Sequence, residues 1–149
     1  MDKLKTSLIS ILLLLFLCAN GFSHQATKKP TASVSGTYKY VLNSLEVLEM
    51  PDHKVRIRFT GVWPNERKKA ETRNMGAFDE TVKLVGKTAT VKIQFGDEPC
   101  IVKLVFQPNK VTVEQGGSLT GCGFGFNVEA DGTYIKVSNK PPDMPPQEN

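Results

Sequence analysis

Few side chains in this chain have types and spacing that could do chemistry. The only histidines are His24 and His53. Neither has a second ligand at metal spacing, so no zinc site is expected. A Ser-His-Asp triad needs its histidine in a pocket, and His53 sits in the turn-like run Pro51-Asp52-His53-Lys54. Asp79 with Glu80, and Asp97 with Glu98, could supply the paired carboxylates of glycoside hydrolysis. Both pairs fall at strand or turn edges, where solvated surface is the ordinary explanation. The residues imply a protein that is not an enzyme and holds no metal or cofactor.

Binding chemistry is better represented. Trp63 precedes Pro64 in an expected loop that holds Asn65 and Arg67. A large aromatic beside an arginine is what binding hot spots use, although a barrel plug uses tryptophan too. Gly116-Gly117 and the run Gly121-Cys122-Gly123-Phe124-Gly125-Phe126 are the most unusual stretch. Glycines alternating with aromatics imply tight bends anchored by rings, either a bulged strand or loop folded over a barrel end or a backbone-lined binding surface. Without Gly-Lys-Ser/Thr or a βαβ context, it is not a phosphate loop. Trp63, Arg67, Phe124 and Phe126 are therefore the candidate contact residues. The basic cluster Arg67-Lys68-Lys69 reads as a solvated loop rather than a polyanion site.

These residues sit in an exported chain. Lys3 and Lys5 precede an apolar run from Leu8 to Leu17, and small residues follow at Ala19, Gly21 and Ser23. That order is a secretory signal peptide over residues 1–23, too short in its apolar part to span a bilayer. The expected location is periplasmic or secreted. Cys18 could be a lipidated cysteine, and membrane attachment would depend on it. Leu17 stands where lipoprotein signals place a small residue, so simple cleavage is the expectation. Beyond the leader there are 17 basic and 14 acidic residues, a net +3, which does not argue for nucleic acid. Cys100 and Cys122 remain as an even pair in an oxidising compartment, so one disulfide is expected.

Residues 24–34 read as a flexible lead-in and the Pro-rich residues 140–149 as an extended tail. Between them, residues 35–139 alternate with period two, as antiparallel strands with one buried face do. Turn chemistry at Asp52, Gly86, Asn109 and Asp131-Gly132 separates about eight strands: Gly36–Leu42, Ser44–Met50, Lys54–Val62, Ala77–Val85, Thr88–Phe95, Cys100–Gln107, Lys110–Gln115 and Gly132–Ser138. Glu66–Arg73 is helix-permissive. The fold expected is all-β, a small up-and-down antiparallel barrel with one disulfide. The repeated Gly-Thr-Tyr at Gly36–Tyr38 and Gly132–Tyr134 fits pairing of the first and last strands, or is coincidence between two common strand starts.

The stretch from Cys100 to Phe106, then Lys110–Val113, Cys122–Val128 and Gly132–Tyr134, resembles a group of uncharacterised bacterial exported proteins that end in a Cys-Gly-Phe-Gly-x-Asn-Val…Gly-x-Tyr pattern. A looser similarity is to small-barrel lysozyme inhibitors, which carry Ser-Gly-x-x-Tyr. Here Ser35-Gly36-Thr37-Tyr38 is one step short of that motif, and the inhibitors' Tyr-Thr-Lys-Gly signature is absent. The resemblance implies a non-enzymatic binding protein, an inhibitor or immunity protein against a cell-wall glycosidase of the lysozyme kind, with an envelope enzyme as protein partner. The alternative is a lipocalin-like carrier of a hydrophobic small molecule, since about eight strands is the size at which an interior either fills or holds one ligand.

Overall fold

Alternating apolar residues and eight strand-length runs give a barrel. The computed structural model describes residues 33–64, 73–117 and 120–147. Its strands are β1 (Gly36–Tyr40), β2 (Asn43–Met50), β3 (Lys54–Pro64), β4 (Arg73–Val85), β5 (Thr88–Ile93), β6 (Cys100–Gln107), β7 (Lys110–Gly117) and β8 (Gly132–Ser138). Each pairs antiparallel with the next, and β8 returns to β1 to close the barrel. Among the described residues, only the short 3-10 turn Thr120–Cys122 is helical. The disulfide joins Cys100 to Cys122.

The inward positions are those that the period of two selects. Val55, Ile57 and Phe59 of β3, Val91 of β5, and Val102 and Leu104 of β6 are fully buried. Each such side chain contributes roughly 1.5–3 kcal/mol over leaving it exposed. The outward positions carry charge, as at Arg58, Glu46, Lys103 and Glu114. This is the inverse of an outer-membrane barrel, whose outside is an apolar band. No helix of the described residues is long and apolar enough to cross a membrane.

The two Gly-Thr-Tyr repeats close the two ends of the barrel in the same way. Gly36 and Gly132 take φ of +144° and +147°, a region essentially reserved for glycine. Tyr38 and Tyr134 point inward and are buried. Before each glycine, a side-chain oxygen caps the neighbouring strand: Ser35 Oγ accepts the Glu49 amide, and Asp131 Oδ1 accepts the Gln115 amide. The registers match as well, since Gly36 faces Val47 and Gly132 faces Val113.

Several strand ends differ from the sequence expectation: β1 stops at Tyr40 and not Leu42, β2 begins at Asn43, β5 stops at Ile93 and not Phe95, β7 runs on to Gly117, and both strands of the β3–β4 hairpin are longer. β3 runs on to Pro64 and β4 begins at Arg73, because Val62–Pro64 pair with Arg73–Met75. Asn74-Met75-Gly76 has little strand propensity of its own, and cross-strand pairing supplies what propensity does not. Residues Glu66–Thr72 of the helix-permissive stretch lie outside the described residues, and Arg73 is in a strand.

One wall is incomplete. β3 and β4 share eleven paired positions, but β4 and β5 share only Leu84↔Ala89 and Val85↔Thr88. Above that point the ladder stops and leaves a seam. The Pro-rich tail crosses the outside of the same wall. Arg56 donates to the carbonyl of Pro145, and Gln147 Nε2 donates to the carbonyl of Asp79 at 2.8 Å. The tail is extended, as its prolines require, and it lies against the barrel through these contacts.

Candidate functional site

The two ends of the barrel are chemically unlike. At one end the hairpins turn through Asp52-His53, Gly86-Lys87 and Pro108-Asn109. Asp52, His53, Gly86 and Asn109 there have positive φ, ordinary for polar turn residues and glycine. At the other end, which carries the disulfide, β1 turns into β2 through Val41-Leu42. Val41 has φ of 52° and is 82% exposed. A β-branched residue in the left-handed region is strained by about 1–2 kcal/mol. Its exposure recovers none of that through packing.

The exposed aromatic side chains among the described residues all lie at this end. They are Tyr40 (41%), Trp63 (47%), Phe95 (64%) and Phe126 (78%). Met75 is exposed beside them. Their backbones are tied together. Asn74 is the cross-strand partner of Trp63, and its Nδ2 donates to the Phe126 carbonyl at 2.8 Å. The Gly125 amide donates to the Met75 carbonyl at 2.9 Å. A Cβ on Gly125 would lie 2.9 Å from that same oxygen, so only glycine permits the approach. Asn43 joins the neighbouring strands, accepting from the Val62 amide and donating to the Glu129 carbonyl.

Phe124 does a different job from Phe126. Its ring lies 5.3 Å from Phe59 and 6.5 Å from Phe78, over Gly76, where a Cβ would come within 2.6 Å of it. It is a plug between the barrel's open rim and its core. The Gly-Phe-Gly-Phe run thus places one ring inside and the next outside. Of the four candidate contact residues, Trp63 and Phe126 come together around Asn74, Phe124 faces the core, and Arg67 lies outside the described residues. Trp63 closes β3 rather than standing in a loop.

Tyr40, Val41, Met75 and Phe95 were not legible as site residues. Val41-Leu42 reads as strand, since neither residue is a turn former. The available signal was negative: a hairpin had to fall between two short strands, and no Asn-Gly or Asp-Gly marked it.

The two carboxylate pairs are placed differently. Asp79 and Glu80 are adjacent on β4 and point to opposite faces. Asp79 bonds to Arg56 Nε at 2.7 Å and to Arg58 Nε at 3.0 Å. The hydrogen bond from Arg56 holds the Asp79 carboxyl below its ordinary range despite partial burial. Asp97 and Glu98 are exposed at the disulfide end. No group of three His, Cys, Asp or Glu side chains among the described residues could hold a metal ion.

The barrel interior is occupied by its own side chains. Tyr38, Tyr134, Phe59 and Phe106 are the largest of those fully buried, and Tyr38 meets Phe106 edge-on at 6.3 Å between centroids. The arrangement offers an apolar, aromatic, rigidly held rim and a filled interior. No family model, curated protein or solved structure matches this chain.

Proposed function

We propose that this chain is an exported, non-enzymatic protein-binding module whose contact surface is the disulfide end of the barrel. The concrete form of the proposal is an inhibitor or immunity protein against a cell-wall glycosidase. One observation carries the binding reading: every exposed aromatic among the described residues, Tyr40, Trp63, Phe95 and Phe126, lies at that end. Exposed aromatics anchored on a rigid frame lose little conformational entropy on binding and bury large areas. The strained Val41 at the same end supports the reading, because strain persists where a surface is selected for something other than stability. The filled interior favours surface recognition over a carrier. Export and the small-barrel resemblance supply the glycosidase class.

The test is inhibition of peptidoglycan lysis by lysozyme-type glycosidases at equimolar protein. Inhibition relieved at least tenfold by Trp63→Ala with Phe126→Ala is the expected result. No effect on any such enzyme removes the inhibitor form. Inhibition unaffected by the two substitutions removes the rim as its surface.

A further inference from the structure

The hairpin end of the barrel, opposite the disulfide, gathers lysines that are dispersed in sequence. Lys54 begins β3, Lys83 and Lys87 bracket the Val85-Gly86 hairpin tip, Lys110 begins β7, and Lys136 lies near the end of β8. None of them has an ion pair among the described residues. The carboxylates nearest by position are Glu49 and Asp52, and Glu49 accepts the Ser33 hydroxyl. Lys54 and Lys83 are direct cross-strand partners, and both are exposed. Like charges directly opposite each other destabilise a sheet, so this pair stands against stability. Lys136 is partly buried. Its Nζ lies 5.3 Å over the Tyr38 ring and donates to the Ser33 carbonyl at 2.9 Å.

Apolar side chains stand exposed among these lysines. Met50 continues the cross-strand row of Lys54 and Lys83 and is 39% exposed. Val85, at the tip two residues before Lys87, is 73% exposed, and Val137, next to Lys136, is 59% exposed. Apolar side chains interleaved with ammonium groups suit a lipid headgroup layer, where hydrocarbon meets the acyl boundary and charge meets phosphate. A soluble polyanion would satisfy the lysines and leave the valines in water. The exposed aromatics of the described residues are all at the other end, so nucleic-acid bases find nothing here to stack on. The cations are compact point charges on flexible stems rather than guanidinium forks that read one phosphate bidentately. Arg56 and Arg58 are both engaged by Asp79. The array fits a sheet of phosphates better than a single one.

We propose that the hairpin end docks peripherally on an anionic lipid bilayer, with Lys54, Lys83, Lys87 and Lys110 over headgroup phosphates and Val85 at the acyl boundary. Such docking needs no acyl chain on Cys18, and it turns the aromatic rim away from the bilayer. It does not rest on what the rim binds.

Co-sedimentation with vesicles tests the proposal. The exported chain is mixed with vesicles of phosphatidylcholine alone, or of phosphatidylcholine with about one-third phosphatidylglycerol; soluble polyphosphate is the control. Binding to the anionic vesicles is expected to be at least about tenfold tighter than to the neutral ones. It should weaken at least about tenfold as salt shortens the Debye length from about 10 Å to about 3 Å. Lys83→Glu with Lys87→Glu should weaken it about tenfold or more. Lys83→Glu also trades the like-charge pair with Lys54 for an ion pair, so the melting temperature should not fall and unfolding cannot account for the loss. Lys87→Glu alone, in an exposed turn, should show part of the same loss. Val85→Ser should weaken vesicle binding about threefold or more and leave polyphosphate binding unchanged. Trp63→Ala with Phe126→Ala should leave vesicle binding as it is. Equal binding to both vesicles, binding to neither, or binding that survives the lysine reversals overturns the proposal. Vesicle binding unchanged by Val85→Ser overturns it in favour of a general polyanion surface, and vesicle binding lost in the rim variant assigns the contact to the other end.

Discussion

Tyr38 and Tyr134 hold equivalent places at opposite ends of the barrel. Each hydroxyl donates to the carbonyl four residues earlier, Tyr38 to Val34 at 2.7 Å and Tyr134 to Ala130 at 2.9 Å. Each follows a glycine of positive φ by two residues. Replacing either tyrosine by phenylalanine leaves the ring and orphans a carbonyl. A loss of about 1–2 kcal/mol is expected for each in denaturant unfolding. Gly36→Ala is expected to be worse, because its Cβ would fall 2.2 Å from the Ser138 carbonyl oxygen. Failure of Gly36→Ala to destabilise by at least about 2 kcal/mol would contradict the strained-glycine account.

Burial pushes both phenols up to about 12, against about 10 for a free tyrosine. A pKa raised in the folded state gives stability that is fully present below pH 10 and is lost as pH rises toward 12. Tyrosinate absorbance from Tyr38 and Tyr134 is therefore expected to appear together with alkaline unfolding. Absorbance that titrates fully near pH 10, with the barrel still folded by circular dichroism, would refute this.

Asp79 has the opposite sign. Its carboxyl is held low, first by the hydrogen bond from Arg56, so its contribution is present above its unfolded pKa of about 3.9 and is lost as pH falls below it. Melting temperature measured against pH should drop more steeply on acidification in the native protein than in Asp79→Asn. Removal of the tail beyond Lys140 should weaken the same region, because Pro145 covers Arg56.

Val41→Asn exchanges a strained β-branched residue for one that tolerates the left-handed region. It is expected to stabilise the barrel by about 1 kcal/mol. Under the rim proposal, it should also weaken partner binding. Stabilisation without any loss of binding would place Val41 outside the contact surface.

The disulfide joins residues 22 apart in sequence. On the chain-entropy account, removing it with Cys100→Ala and Cys122→Ala is expected to cost about 3 kcal/mol. The loss should fall first at the disulfide end, seen as faster exchange of the Gly123–Val128 amides while β2 and β3 stay protected.

Most of the barrel was written locally. Alternation at Val55-Ile57-Phe59 and Val102-Leu104-Phe106 fixes strand, face and inward side at once, because one face must leave water. Asp52, Gly86 and Asn109 mark turns because their backbones reach positive φ at low cost. Cys100 and Cys122 are the two cysteines of the barrel's stretch of sequence and leave one disulfide to form. The sequence alone therefore determined an eight-stranded antiparallel barrel, its core and its covalent link. Tertiary structure decided the rest. Phe124 and Phe126 are the same residue type two positions apart; one became a plug and the other an exposed contact because Gly76 opens a space over Phe59 for only one of them. Trp63, Phe95 and Val41 reach one rim only through the up-and-down order of strands far apart in sequence. The seam exists because β4 follows β3 for eleven pairs and β5 for two. Such outcomes depend on which distant backbones compete for the same hydrogen bonds and the same volume, and no local pattern of residue types encodes that competition.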